Sequence, residues 1–181
     1  MISTKTANVF RLVGTGDWHV GHHTTTTASI VAALYRMFPD NAETAALDLI
    51  IIEGDVYDHD LYLYSKDEEL FKGFRKYLLQ LAKKYDIPVR ILEGTPDHDW
   101  KQSRSFVIDN EMLEIGADVR HVETLEIEYM ARYDIHILYV PDEFMPRCET
   151  TWEYVQEALR RHNLTKVDFC VMHGCFPHQL P

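Results

Sequence analysis

Aspartate and histidine recur in this chain where apolar runs end. Asp17-Trp18-His19 follows Gly16, and Gly54-Asp55 opens a Gly-Asp-x-x-Asp stretch closing on Asp58. Gly94-Thr95-Pro96-Asp97-His98-Asp99 follows a third run, and His173-Gly174 follows a fourth. Mixed carboxylate and imidazole donors suit Mn²⁺, Fe or Zn²⁺ better than Ca²⁺, which prefers oxygen alone. A carboxylate has two oxygens and can bridge two cations, and ions about 3.5–4 Å apart are suited to in-line displacement at phosphorus. Asp17 and His19 are two residues apart, so in extended chain both leave the same face. Taken singly, each motif has an ordinary structural explanation: a wet loop, a Gly-Asp turn, a histidine satisfied at a strand end. Their succession, each after its own strand, points instead to one shared site.

The elements that must carry these residues follow from periodicity. Asn8–Gly14, Leu47–Glu53, Ile87–Leu92 and Val167–Met172 read as strands, the second a continuous Leu-Ile-Ile-Ile run suited to burial on both faces. Ile30, Val31, Leu34, Tyr35 and Phe38 recur at helical spacing after the hydroxyls of Thr24–Thr27, and Pro39-Asp40 ends that helix. Leu70, Phe71, Phe74, Tyr77, Leu78 and Leu81 form the stripe of a second helix, capped near Asp67 and closed by Lys83-Lys84. Ser105–Ile115 reads as a short helix. Val119–Val122, Leu125–Met130 and Ile135–Val140 read as strands, the last two joined in a hairpin at Asp134, and a helix capped by Thr150 or Thr151 runs through Leu159. The order predicts an α/β domain with a mostly parallel sheet packed on a second sheet. In open α/β sheets, ligands sit beyond the carboxyl ends of the strands, where all four Asp/His clusters fall.

The set of motifs resembles the calcineurin-like metallophosphoesterases, whose pattern is D-x-H, G-D-x-x-D, G-N-H-D/E, a later His-Gly and a terminal G-H-x-H. The likeness spans Gly16 to Gly174, and the Gly-Thr-Pro-x-His-Asp form of the third motif is most similar to phage and bacterial DNA-repair exonucleases of the SbcD type. The resemblance implies an αββα sandwich of two mixed sheets flanked by helices, with residues 1–181 forming one domain that is C-terminally incomplete. It implies Asp17 and His19 on a first metal, Asp55 bridging, and Asp97 and His173 on the second. His98 would protonate the leaving oxygen, with the Asp58 acid as its orienting partner. Two divalent ions are implied, Mn²⁺ foremost, with Fe, Zn²⁺ or Mg²⁺ as the others. No Gly-His-x-His follows His173 before Pro181, so truncation is the expected explanation, and His178 is a poor substitute. A DNA substrate, an SMC-like ATPase partner and a homodimer complete what the resemblance implies.

Composition sets the limits. The chain has 181 residues, 18 Lys and Arg against 29 Asp and Glu, and a formal net charge of −11, which argues against bulk electrostatic adhesion to nucleic acid or membrane. Cys148, Cys170 and Cys175 are too few and too irregularly spaced for a disulfide scaffold or a Cys-rich zinc site. No apolar run reaches the roughly 20 residues of a membrane span, and the first ten residues lack a signal-peptide pattern, so a cytoplasmic protein is expected. Lys101 and Arg104 could meet a substrate phosphate. Trp18 and Trp100 are expected to pack beneath the loops, base stacking being the other role open to them. His22 and His23 read as wet-loop residues, His59 and Asp60 as lining the mouth, and Cys175 as buried. The functions open to this set are a DNA nuclease, a phosphatase or cyclic-nucleotide phosphodiesterase on small substrates, and a non-catalytic scaffold.

Overall fold

The computed structural model describes residues 9–142 and 148–174. Its elements, in chain order, are β1 (Leu12–Thr15), α1 (Thr27–Met37), the short α2 (Ala42–Ala45), β2 (Leu49–Ile52), α3 (Lys66–Tyr85), β3 (Val89–Leu92), α4 (Ser105–Met112), β4 (Val119–Val122), β5 (Glu126–Met130), β6 (Ile135–Val140), α5 (Cys148–Arg161) and β7 (Phe169–Met172). β1, β2, β3 and β4 form a four-stranded sheet in sequential order, every pair parallel. β5, β6 and β7 form a separate three-stranded sheet, antiparallel between β5 and β6 and parallel between β6 and β7. The first sheet is therefore purely parallel and not mixed as expected, because a helix returns the chain before each of its strands. That topology sends the carboxyl ends of β1, β2 and β3 to one edge.

The central strand shows how two faces are covered. Ile50 and Ile52 point to a helix-side core with Val31 and Leu34 of α1 and Phe71, Phe74 and Leu78 of α3. Leu49 and Ile51 alternate to the other face and meet Ile137 and Tyr139 of β6 and Val171 of β7 between the sheets. All four β2 residues are fully buried, and each isoleucine or leucine removed from water contributes about 1.5–3 kcal/mol. A third cluster, Ile127, Leu138, Val140 and Val155, covers the outer face of the second sheet with α5. The layers thus run helix, sheet, sheet, helix. Arg90 of β3 ties the sheets together, its guanidinium 2.7 Å from the Glu128 carboxylate of β5, which also accepts from the Tyr139 hydroxyl at 2.9 Å. Burial alone would raise the Glu128 pKa, and the Arg90 hydrogen bonds and charge reverse that and hold it below the ordinary range.

Several boundaries differ from the periodicity reading. α1 is capped by Thr26, whose hydroxyl accepts the Ser29 N–H at 3.2 Å, and α3 by Ser65, which accepts the Glu68 N–H at 3.1 Å, leaving Asp67 inside the first turn. α4 stops at Met112, short of Ile115, because Glu114 turns left-handed and the Asn110 amide accepts from the Ala117 N–H to close the loop. α2 was not foreseen; the Asn41 side chain caps it by accepting from Glu43 and Thr44. Asp134, at φ 55°, is the hairpin turn the sequence marks. Asn8, the expected start of the first strand, lies outside the described residues.

α3 is bound to the loop edge through a buried charge. The Arg75 guanidinium donates to Glu68 at 2.7 Å, Asp109 of α4 at 2.9 Å and the Tyr57 hydroxyl at 2.8 Å, and its side chain is 1% exposed. Removing one partner of a buried ion pair leaves the others desolvated and uncompensated, a loss of about 3–5 kcal/mol. Arg75→Met should therefore lower the unfolding free energy by about that amount in urea titrations; an unchanged midpoint would contradict the network's structural role.

Candidate metal centre

Beyond β1 and β2 the two chains stay paired after the regular ladder ends. Asp17 N–H donates to Gly54 O at 3.1 Å, His19 N–H to Asp55 O at 3.1 Å and Val20 N–H to Val56 O at 2.9 Å. Asp17, His19 and Asp55 all take left-handed backbone, at φ 51°, 48° and 47°. Such conformations cost about 1–3 kcal/mol each and persist only where neighbouring structure over-determines them. Asp17 and His19 therefore converge through successive left-handed turns, not through the alternation of an extended strand as the spacing suggested.

The result is a compact set of donors. Ligand atoms of Asp17, His19 and Asp55 lie within 4.8 Å of one another, and those of His19, Asp58 and His98 do likewise. His173 reaches the same place from β7: its Nδ1 donates to the Glu53 carbonyl at 2.6 Å, and its Nε2 lies 3.2 Å from Asp55 Oδ1. A carbonyl cannot donate, so Nδ1 carries the hydrogen and Nε2 is the atom turned to the carboxylate. Asp55 Oδ1 also accepts from the Thr95 N–H at 2.7 Å and its hydroxyl at 2.9 Å. Gly16, Asp17, Glu53, Asp55, Met172, His173 and Gly174 line a cleft of ≈ 350 Å³ here.

Two glycines permit the approach. A Cβ on Gly54, whose φ is 100°, would stand 2.6 Å from His173 Nδ1, and one on Gly94 would stand 2.4 Å from Asp55 Oδ1. Asp99, fully buried, clamps the loops by accepting the Tyr57 N–H at 3.0 Å and the Gly94 N–H at 3.1 Å. Burial pushes its pKa up to about 6 against the pull of those bonds. Burial would raise Asp55 too, but the His173 hydrogen bond and those from Thr95 hold it at about 2. Burial would lower His173, and the Asp55 hydrogen bond and charge carry it up to about 9.

The donors fit a cation. His19 Nδ1 is buried without a hydrogen-bond partner, 3.7 Å from Asp58 Oδ1, an orphan that a positive ion nearby would help to satisfy. Asp17, His19, Asp55 and His173 thus come together as the sequence pattern required. Asp97 does not: it is exposed and falls outside both groupings, the two extra residues Thr95-Pro96 placing Thr95 against Asp55 in its stead. His98 donates Nδ1–H to the main-chain carbonyl of Asp58 at 2.8 Å, not to its carboxylate. That carboxylate is drawn instead to His59 at 3.2 Å, with His22 at 4.0 Å.

Lys101 is committed elsewhere, its ammonium 3.3 Å from Glu123, and Arg104 is exposed beside the same acid. Burial would raise Glu123, and the Lys101 hydrogen bond, His121, and the Lys101 and Arg104 charges overcome it and lower its pKa. Trp18 packs under the loops against Phe71 and Phe74 as expected, whereas Trp100 does not pack and is 67% exposed. The His23 ring lies tilted against that of His22, centroids 4.5 Å apart. Cys175 and His178 lie outside the described residues.

Sequence reasoning missed Glu53, Thr95 and Asp142. Glu53 lines the cleft, and Asp142 lies close enough for the charges of His173 and Asp55 to act on it. Burial raises the Asp142 pKa, His173 opposes and Asp55 adds. The signal for Asp142 was present, since Val140-Pro141-Asp142 is one more strand end carrying an acid.

No protein-family model and no curated protein matches this chain. Among solved structures, a protein of unknown function from Aquifex aeolicus is similar to it at 16% identity, covering 93% of this chain and 80% of that one, with a TM-score of 0.43. A likeness that distant assigns neither fold nor function.

The Asp55–His173 pair gives a pH signature in cation-free protein. His173, raised from 6.5 to about 9, contributes stability that is complete below 6.5 and is lost as pH rises through 9. Asp55, lowered from 3.8 to about 2, contributes stability that is complete above 3.8 and is lost as pH falls through 2. In chelator, His173→Gln should be less stable than the parent at about pH 6, with the gap closing by about pH 10; a gap independent of pH would refute the pairing.

Proposed function

We propose that this chain is a metallophosphoesterase: a metal-dependent phosphodiester hydrolase, foremost a DNA nuclease of the repair type. The observation that carries the reading is the convergence of Asp17, His19 and Asp55 within 4.8 Å, with His173 arriving from the other sheet at 3.2 Å from Asp55. Asp17, His19 and Asp55 would hold one cation and His173 with Asp55 a second; the mixed donor set suits Mn²⁺, Fe or Zn²⁺, and the family resemblance puts Mn²⁺ foremost. Bound there, two divalent ions would supply charge neutralisation at the phosphoryl oxygens and a water acidic enough to attack at neutral pH.

The chain's own groups do the rest. Asp55 is oriented through Oδ1, which accepts from the Thr95 N–H and hydroxyl and faces His173 Nε2, and its carboxylate would bridge the two cations. The Glu53 carbonyl fixes the His173 tautomer so that Nε2 faces Asp55. The Asp58 carbonyl holds the Nδ1–H of His98, and in the imidazolium form Nε2 carries a second proton, which it would give to the departing alkoxide as the P–O bond breaks, leaving the neutral ring. Water and diester thus yield monoester and alcohol. The commitment of Lys101 to Glu123 favours a second reading, a small phosphoester in place of a polymer.

His98→Ala should lower kcat on bis-p-nitrophenyl phosphate by about 10²–10⁴-fold while metal content is retained. Asp55→Asn should lose both activity and metal. Metal analysis of gel-filtered protein beside steady-state assays in Mn²⁺ separates the two, and full activity in either variant would overturn the assignment.

A further inference from the structure

We propose that Trp100, with Tyr62 and Tyr64, forms an aromatic rim on two mutually fastened loops that captures an unpaired nucleobase beside the phosphoester site, so that affinity comes from stacking and not from phosphate neutralisation. The inference rests on the proposed hydrolase and names what that site selects.

Trp100, Tyr62 and Tyr64 are 67%, 86% and 90% exposed, a large outlay of aromatic surface next to the buried Asp99 and Leu61. The two loops are fastened to each other. The Gln102 amide donates to Leu61 O at 2.7 Å and accepts the Leu61 N–H at 3.0 Å, one residue before Tyr62 and two after Trp100. The Tyr62 carbonyl then accepts the Ser65 N–H at 2.8 Å, so the tyrosines lie on a closed turn entering α3.

Trp100 is also held from both sides. Asp99 before it is locked to Tyr57 and Gly94, and the Lys101 N–H after it donates to the Glu93 carboxylate at 2.6 Å. His121, 3% exposed, backs that carboxylate at 2.8 Å. Between these anchors Trp100 sits at φ 33°, a left-handed backbone that a bulky residue adopts only at a cost. The strained backbone and the exposed indole have no packing benefit to offset them, and an indole has only two side-chain torsions to fix when it stacks, which gives the arrangement its use.

The occupant follows from position and charge. Trp100 lies two residues after His98 and Tyr62 four after Asp58, and ligand atoms of His98 and Asp58 group with those of His19, so the loops that carry the rings also supply the proposed site. The same segments carry Asp58, Asp60 and Asp97, and Lys101 is paired with Glu123. An anionic lipid surface or a phosphate track meets those acids, whereas a base offers a face that any indole or phenol can cover. The base could come from a strand end or from a free nucleotide.

The test uses a non-hydrolysable phosphorothioate hexadeoxynucleotide, its abasic counterpart and a mononucleotide, titrated from 50 to 200 mM salt against the parent, Trp100→Ala and Trp100→Phe. Trp100→Ala should weaken hexanucleotide binding about 5- to 100-fold, the fold-change corresponding to one lost stacking contact, and Trp100→Phe should restore most of it. The abasic strand should bind the parent as weakly as the hexanucleotide binds Trp100→Ala. The slope of log K against log salt should stay near −1, about what one or two phosphate contacts give. Equal affinity for abasic and normal strands, unchanged binding by Trp100→Ala, or a steep slope would each overturn the rim. Mononucleotide binding as tight as the hexanucleotide would support base recognition and assign free nucleotides as its source; weaker binding would support it and assign the strand. Hydrolysis of bis-p-nitrophenyl phosphate by the parent reports the catalytic reading alone, so its absence beside intact base binding would sink that reading and leave the rim standing.

Discussion

The contact between Asp55 and His173 crosses from one sheet to the other, and much of the molecule serves to make it short. Asp55 follows β2 and His173 follows β7, strands that share no hydrogen bond. Their side chains meet at 3.2 Å because the apolar faces of the two sheets close on Leu49, Ile51, Tyr139 and Val171, and because Gly54 and Gly94 leave no Cβ in the way. A methyl group at either glycine would occupy the space of an imidazole nitrogen or a carboxylate oxygen. Hydrophobic burial supplies the force, and the glycines set how near the polar groups come. Packing is non-directional; the directional part is the Glu53 carbonyl that orients the imidazole.

Strain at Asp17, His19 and Asp55 needs a rigid surround, and the structure provides it in buried polar links in place of further apolar bulk. Tyr57 is the hub. Its N–H goes to Asp99, its hydroxyl to Ser105 and Arg75, and Arg75 in turn holds Glu68 and Asp109. Through this chain of bonds the loop after β2, the loop after β3, α3 and α4 share one geometry. Burial raises the Tyr57 pKa far beyond its ordinary value, so the phenol stays neutral, accepting from Arg75 and sharing a hydrogen bond with the Ser105 hydroxyl. A fully satisfied buried network specifies one arrangement where apolar contacts alone would permit several.

Much of this was legible in the residues, for identifiable reasons. Continuous apolar runs such as Leu49–Ile52 signal strands covered on both faces, and parallel topology then forces their ends to one edge. That logic is enough to bring the segments of Asp17, His19 and Asp55 together, whereas His173 arrives from the second sheet through the packing of the two apolar faces. It fails where a contact depends on loop conformation. Thr95 took the place beside Asp55 expected of Asp97 because two inserted residues rotate the loop, and no periodicity describes a loop. His98 found a carbonyl in place of a carboxylate because Asp58 had three imidazoles competing for it. The role of Glu128 was hidden for a different reason: an alternating Leu-Glu-Ile-Glu strand looks solvent-facing until a second sheet supplies Arg90.

The charge of the chain gives the proposed chemistry an order. A net charge of −11, with Asp17, Glu53 and Asp55 lining one cleft, makes a field that draws cations and repels phosphates. Without a metal, the protonated imidazole of His173 is what compensates Asp55, a monovalent stand-in for the ion. A divalent cation held there would displace that proton to use Nε2, replacing one positive charge with two. In the proposed reading each ion would turn the local potential further toward a substrate phosphate, so loading would precede phosphoester binding by simple electrostatics. Among the described residues acids line the cleft and Lys101 is paired with Glu123, so in the proposed reading exposed aromatic rings on the adjoining loops would carry weight that lysines carry in a basic nuclease.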